Sequence, residues 1–186
     1  AIEAGTGKTF GKLEHQRMYY HRLGTPQSED RMIHAMPDQP QWFVRGHASE
    51  DGRYLFIAIA RGSSAENLLR FVDLGDPRAP RLDAPVQSLV EEWKAEFRVV
   101  GNTGPTLYVV TNLDAPRKRL VAIDAAAPAM ANWKTLIPES ADVIDSVDLV
   151  GGRLVVKTMR DASSRLAIYT KEGKRVGDVA LPGIGS

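Results

Sequence analysis

Four groups of residues in this chain are of the right type to do chemistry, and each can be tested on its spacing. Gly5-Thr6-Gly7-Lys8-Thr9 has the composition of a loop that cradles phosphate with backbone N–H groups and a lysine. The full motif needs a glycine five positions before Gly7, where Ile2 stands. Such a loop also leaves a buried strand to open a helix, whereas only six residues precede Gly7 and residues 13–23 read as strand. The stretch therefore does not read as a nucleotide site. His15, His21, His34 and His47 form no metal-ligand spacing and read as surface or packing histidines. Asp142, Asp145 and Asp148 lie three apart, so on a strand the middle one opposes the other two. They read as turn and rim residues rather than a metal cluster. Gly62-Ser63-Ser64-Ala65-Glu66 approaches the nucleophile elbow Gly-x-Ser-x-Gly but ends in glutamate. The residues therefore assemble no catalytic set, and no metal or organic cofactor is expected.

Composition narrows the class further. The 186 residues are 43% hydrophobic and 25% charged, as in an ordinary globular chain with room for a substantial core. Lys and Arg number 24 against 23 acids, so no strong field recruits nucleic acid or an anionic membrane. No apolar run approaches the ~20 residues that span a bilayer as a helix. Cysteine is absent, which excludes disulfides and thiolate metal sites but leaves the compartment open. The expectation is a soluble protein of the cytoplasm or periplasm, with no choice between them. The chain starts Ala1-Ile2-Glu3, without methionine or a signal-peptide pattern, so the expectation is that a native amino terminus is missing.

The elements that must position any site are strands. Leu55-Phe56-Ile57-Ala58-Ile59 and Leu107-Tyr108-Val109-Val110 are short, rich in β-branched and aromatic residues, and bounded by turn residues. Asp51-Gly52, Thr103-Gly104 and Gly151-Gly152 supply the glycines of tight hairpins. Only residues 86–95 read as a possible helical turn. A repeat emerges when these segments are aligned. The strand after each hairpin starts at Leu55, Leu107 and Leu154, intervals of 52 and 47 residues. The next strand starts at Leu68, Leu120 and Leu166, intervals of 52 and 46. A short outer strand follows each, expected near residues 81–83, 133–137 and 175–180. Four antiparallel strands every ~45–50 residues is the spacing of a β-propeller blade; the competing reading is a β-sandwich with accidental spacing. The fold class expected is all-β, about three and a half four-stranded blades. The bounds are a partial blade and preceding loop at 1–41, then blades at 42–93, 94–140 and 141–186. Propellers close with 4 to 8 blades, so this is expected to be a portion of a longer chain.

Several motifs resemble one family. Tyr19-Tyr20-His21-Arg22-Leu23-Gly24-Thr25-Pro26-Gln27-Ser28-Glu29-Asp30, Pro37-Asp38-Gln39-Pro40-Gln41-Trp42 and Ser49-Glu50-Asp51-Gly52-Arg53-Tyr54 are similar to the propeller of the prolyl oligopeptidases. Thr111-Asn112-Leu113-Asp114-Ala115-Pro116-Arg117 and Trp133-Lys134-Thr135-Leu136-Ile137-Pro138-Glu139 follow in the same order. The Pro-Asp-x-Pro-x-Trp continuation favours the prolyl enzymes over oligopeptidase B. The resemblance implies part of a seven-bladed β-propeller, capping an α/β-hydrolase domain with a Ser, Asp and His triad that lies outside this segment. It implies proline-containing oligopeptides as substrates and a gating role that excludes folded proteins. It also places two residues. Phe43 aligns with an apolar position lining the outer subsite, for the third peptide residue before the cut. Ser63 aligns with a cysteine of the animal members near the active site, so a reactive thiol is excluded here. The bland alternative for Phe43 is packing beneath a blade. The rival for the whole chain is a stand-alone propeller-type binding module without hydrolase activity.

Overall fold

The computed structural model describes residues 14–181; the Gly- and Lys-containing stretch at residues 5–9 lies outside the described residues. Fourteen strands and two short 3-10 turns make up the regular structure, and no α-helix occurs among the described residues. Strands β1 (Arg17–Tyr20) and β2 (Arg31–Ala35) form an antiparallel pair. Three four-stranded antiparallel sheets follow, each in sequential strand order. The first holds β3 (Trp42–Ala48), β4 (Tyr54–Arg61), β5 (Asn67–Asp73) and β6 (Gln87–Val90). The second holds β7 (Phe97–Thr103), β8 (Thr106–Thr111), β9 (Arg119–Asp124) and β10 (Lys134–Ile137). The third holds β11 (Val143–Val150), β12 (Arg153–Arg160), β13 (Ser163–Tyr169) and β14 (Arg175–Val179).

The second strands of the first two sheets are apolar on both faces because each of those sheets is sandwiched between neighbours, whereas β12 of the last sheet buries mainly one face. Leu55, Leu107 and Leu154 are each the second residue of that strand, opposite Val72, Ile123 and Tyr169. Each faces the preceding unit. Leu55 and Ile57 pack toward Met18, Met36 and Trp42. Leu107 and Val109 join Tyr54, Phe56 and Phe71. Leu154 and Val156 join Tyr108, Val110 and Leu120. The repeat is therefore structural, since the same register position meets the same side of the previous sheet. Burying one such side chain contributes about 1.5–3 kcal/mol, so each seam is a substantial source of stability.

Polar ties reinforce the seams. The Asn67 side-chain amide donates to the Phe97 carbonyl (3.1 Å), and its oxygen accepts from the Phe97 N–H (2.7 Å). The Ile144 N–H donates to the Arg117 carbonyl (3.0 Å), and the Arg117 N–H donates to the Glu139 carboxylate. At the opposite strand ends, Asn102 donates to Asp51 (2.8 Å), joining two hairpins.

Two expectations are corrected. Residues 86–95 are not a helical turn: Gln87–Val90 is the outer strand β6, with Leu69 opposite Val90. Leu89 and Val90 are buried in the seam, and that tertiary burial overrides a weak local pattern. The same strand displaces the outer strand expected near residues 81–83, which instead belong to a loop where the Arg81 N–H bonds back to Leu74.

Candidate functional site

Strand direction sorts the loops onto two ends. One end carries the starts of β3, β7 and β11 and the connections β4–β5, β8–β9 and β12–β13, together with the links between sheets. Phe43 and Ser63 both lie at this end of the first sheet. Phe43 is the second residue of β3, opposite Ala60, and is half-buried. Trp42 and Val44 pack toward the preceding unit, so alternation turns Phe43 to the other face. The small side chains of Ala58 and Ala60 lie beside it on that face of β4, and Phe43 belongs to none of the three buried clusters. Ser63 is exposed in the β4–β5 turn, which closes with the Ser64 N–H on the Arg61 carbonyl (3.2 Å).

Around them the fold assembles a group that the sequence did not disclose. Trp42 meets Trp93 edge to face, with centroids 5.0 Å apart and planes at 78°. The Arg61 guanidinium stands 4.5 Å from the Trp93 ring centroid, where the π face attracts a cation. It reaches Glu66 at 3.4 Å, a weak pair at this exposure. Beside it opens a cleft of ≈280 Å³ lined by Gln39, Pro40, Gln41, Trp42, Arg61 and Gly62. The arrangement offers aromatic surface, a fixed guanidinium and amide groups.

The other singled-out residues are accounted for by packing and pairing. His21 Nδ1 lies 2.6 Å from Asp30 Oδ1, and His47 stacks on Phe56 at 6.4 Å. The exposed His15 donates its backbone N–H to the Pro40 carbonyl. His34 is half-buried between β2 and the first sheet; burial, and then the charge of Arg70, lower its pKa, which keeps the ring neutral. Asp142 pairs with Arg160 and Arg165, and Asp145 with Lys157 (3.0 Å). Asp142 and Asp145 thus turn to different cations, and no group of His, Asp and Glu among the described residues has metal-binding geometry.

With this geometry in view, comparison with known proteins is informative. Residues 4–186 match the family described as the prolyl oligopeptidase N-terminal beta-propeller domain. Prolyl oligopeptidase A of Galerina marginata is 31% identical over 185 residues, covering 99% of this chain and 24% of its own length. A solved chain from a structural and mechanistic study of two prolyl endopeptidases superposes with a TM-score of 0.86 at 33% identity, over 94% of this chain and 25% of that one. Prolyl oligopeptidase B from Galerina marginata, solved with a 35mer hydrolysis and macrocyclization substrate, superposes with a TM-score of 0.84 at 26% identity over 93% of this chain and 24% of its own. The chain spans about a quarter of the length of these relatives. Its repeating sheets are blades, and the chain belongs to the prolyl oligopeptidase family as part of the N-terminal β-propeller domain.

Proposed function

We propose that this chain is the gating part of a serine endopeptidase that cleaves short peptides after proline. The observation that carries the reading is the match of nearly the whole chain, in sequence and in blade geometry, to prolyl oligopeptidases and endopeptidases. In the complete protein the blades at 42–93, 94–140 and 141–186 and the partial unit at 1–41 would sit against an α/β-hydrolase domain of the same chain. That domain would supply a serine activated by histidine for acyl transfer, with an oxyanion hole supporting the intermediate. The propeller's task would be exclusion: flexible peptides reach the serine and folded proteins do not. Phe43 would line the outer subsite with Ser63 nearby, a reading supported by their placement at one end of one sheet. No helix of the described residues is long and apolar enough to cross a membrane.

The test is hydrolysis of a Gly-Pro chromogenic peptide. The complete protein should turn it over and lose that activity to a serine-directed fluorophosphonate, whereas the 186-residue chain alone should be inert. Inhibitor-sensitive turnover by the short chain, or none by the complete protein, overturns the reading. The second outcome would favour a stand-alone binding module.

A further inference from the structure

The seam between the β1–β2 unit and the first sheet holds a cation that the described residues leave without a carboxylate. Arg70 stands on β5 two residues from both Leu68 and Val72, so it shares the face that packs toward β1–β2. From the other wall, His34 on β2 lies opposite Met18, and Met36 follows it by two residues. Both methionines pack into this seam, which turns the His34 ring toward the first sheet as well. Arg70 Nη1 reaches the Met36 sulfur at 3.8 Å, a weak acceptor, and the Arg70 charge is felt at the His34 ring.

Two nitrogens of this pair are unsatisfied. Arg70 Nε and His34 Nε2 are both buried without a hydrogen-bond partner. Neither neighbour of Arg70 within the sheet supplies one. Ile57 lies across from it on β4, and Ser88 on β6 donates instead to Glu91 at 2.6 Å. Among the described residues no carboxylate forms an ion pair with Arg70. Orphaned donors and an uncompensated charge both cost free energy, and one negatively charged acceptor between the two walls would relieve both. A bridging water would satisfy the hydrogen bonds but leave the charge. The penalty for stripping water from an ion rises steeply with its charge, so a monovalent ion enters a buried seam more readily than phosphate or sulfate. Met18, Leu68 and Val72 already pack on one another around the pair, which favours a bare ion over an organic acid.

We propose that a small monovalent anion of the halide class binds between Arg70 and His34 and ties the β1–β2 unit to the first blade. Arg70 Nε–H donates to it with the full charge of the guanidinium, and the neutral His34 ring donates from Nε2–H. The site shares no residue with the proposed subsite at Phe43 and does not depend on peptidase activity.

Hydrogen exchange read by mass spectrometry, on the complete protein in sodium chloride and in sodium gluconate of equal ionic strength and pH, decides it. Amides of β1 and β2 should exchange about tenfold more slowly in chloride, because an ion at ten times its Kd raises the closed population by about that factor. Amides of β11 and β12, in a different sheet, should exchange alike in both salts. Arg70→Gln and the apolar Arg70→Met should each remove the difference and His34→Ala should reduce it severalfold, whereas Arg153→Ala, on the last sheet, should leave it intact. Equal exchange in the two salts overturns the proposal and leaves a bridging water only. A chloride effect of the same size at β11 and β12, or one that survives the Arg70 variants, overturns it too. Loss of post-proline cleavage has no bearing on it, so the two readings fail separately.

Discussion

Gly173→Ala should loosen the seam between the last two sheets. Gly173 lies in the β13–β14 turn at φ +85, where its N–H donates to the Thr170 carbonyl (3.0 Å). A methyl group there would overlap the carbonyl oxygen of Leu136 in the preceding sheet and stand 2.8 Å from its carbonyl carbon. Two costs add. A left-handed backbone costs an L-residue about 1–2 kcal/mol, and pushing apart two backbone segments costs about 1–3 kcal/mol more, because neither can swing away as a side chain can. Gly104 separates them: it has φ +54, and a methyl there would meet nothing within 4 Å. Gly173→Ala should therefore cost roughly 2–5 kcal/mol and Gly104→Ala about 1–2. With a urea slope of about 2 kcal/mol per molar, the midpoints fall by ~1–2.5 M and ~0.5–1 M. Tryptophan fluorescence during urea unfolding of the complete protein measures both. Equal shifts for the two variants would refute the steric contact between sheets and leave only the backbone cost.

In the complete enzyme, Phe43→Ala should lower kcat/KM about tenfold, ~1.4 kcal/mol, for peptides with a bulky apolar residue three positions before the cut. Peptides with glycine there should be nearly unaffected, and an equal loss for both would indicate damage to folding or gating. Acid should weaken the hairpin ties. The hydrogen bond from Arg53 is the largest influence on Asp73 and, with the Gly75 N–H, holds its pKa below the usual carboxylate value against the opposing effect of burial. Burial raises Asp51, but hydrogen bonds from Ser49, Asn102 and the Arg53 N–H together outweigh it and lower that pKa too. Carboxylates depressed in the fold contribute stability that is fully present above their unfolded pKa near 4 and is lost as pH falls through the folded value. Thermal stability should thus be flat down to about pH 5 and drop below 4. The drop should be smaller in Asp51→Asn, and an unchanged profile would remove Asp51 from the account. Expressed alone, the 186-residue chain should associate at micromolar concentration, because Tyr19 (48%), Met32 (53%), Val176 (56%) and Val179 (39%) leave apolar surface exposed at both ends of the stack. A sharp monomer in sedimentation, with cooperative melting, would show instead that these blades are self-sufficient.

The repeat was legible because the second strands β4 and β8 serve two seams at once and β12 repeats the half of that pattern that faces back. Tyr54-Leu55-Phe56-Ile57 is apolar on both faces, as is Leu107-Tyr108-Val109-Val110, and Leu154 and Val156 repeat the face that meets the preceding sheet. Outer strands answer to one seam only and fade. Gln87–Val90 carries two apolar residues after a loop holding Pro77, Pro80 and Pro85, and nothing local distinguishes it from residues 81–83. The site was harder for a related reason. Phe43 and Ser63 emerged from family resemblance, whereas the Trp42–Trp93–Arg61 group joins three separate segments that only the folded sheet brings together.

The polar ties between blades share that illegibility and bear on how a gate can work. The Asn67–Phe97 pair and the Arg117–Ile144 and Arg117–Glu139 bonds all lie at the end that carries Phe43 and Ser63. Each uses a loop or link of one sheet to satisfy the first strand or the approach to the next. Sliding one blade past another would strand the part-buried Phe97 backbone groups and the N–H of the buried Ile144, at a cost of about 1–3 kcal/mol each, whereas the exposed Arg117–Glu139 bond adds little. At the far end the described hairpins are joined by the exposed Asp51–Asn102 contact, which water can replace cheaply. Blades tied in this way resist displacement at the end that carries Phe43 and Ser63 and yield more easily at the other. Opening confined to these seams should therefore begin at the hairpins, with the geometry around Phe43 the last to change.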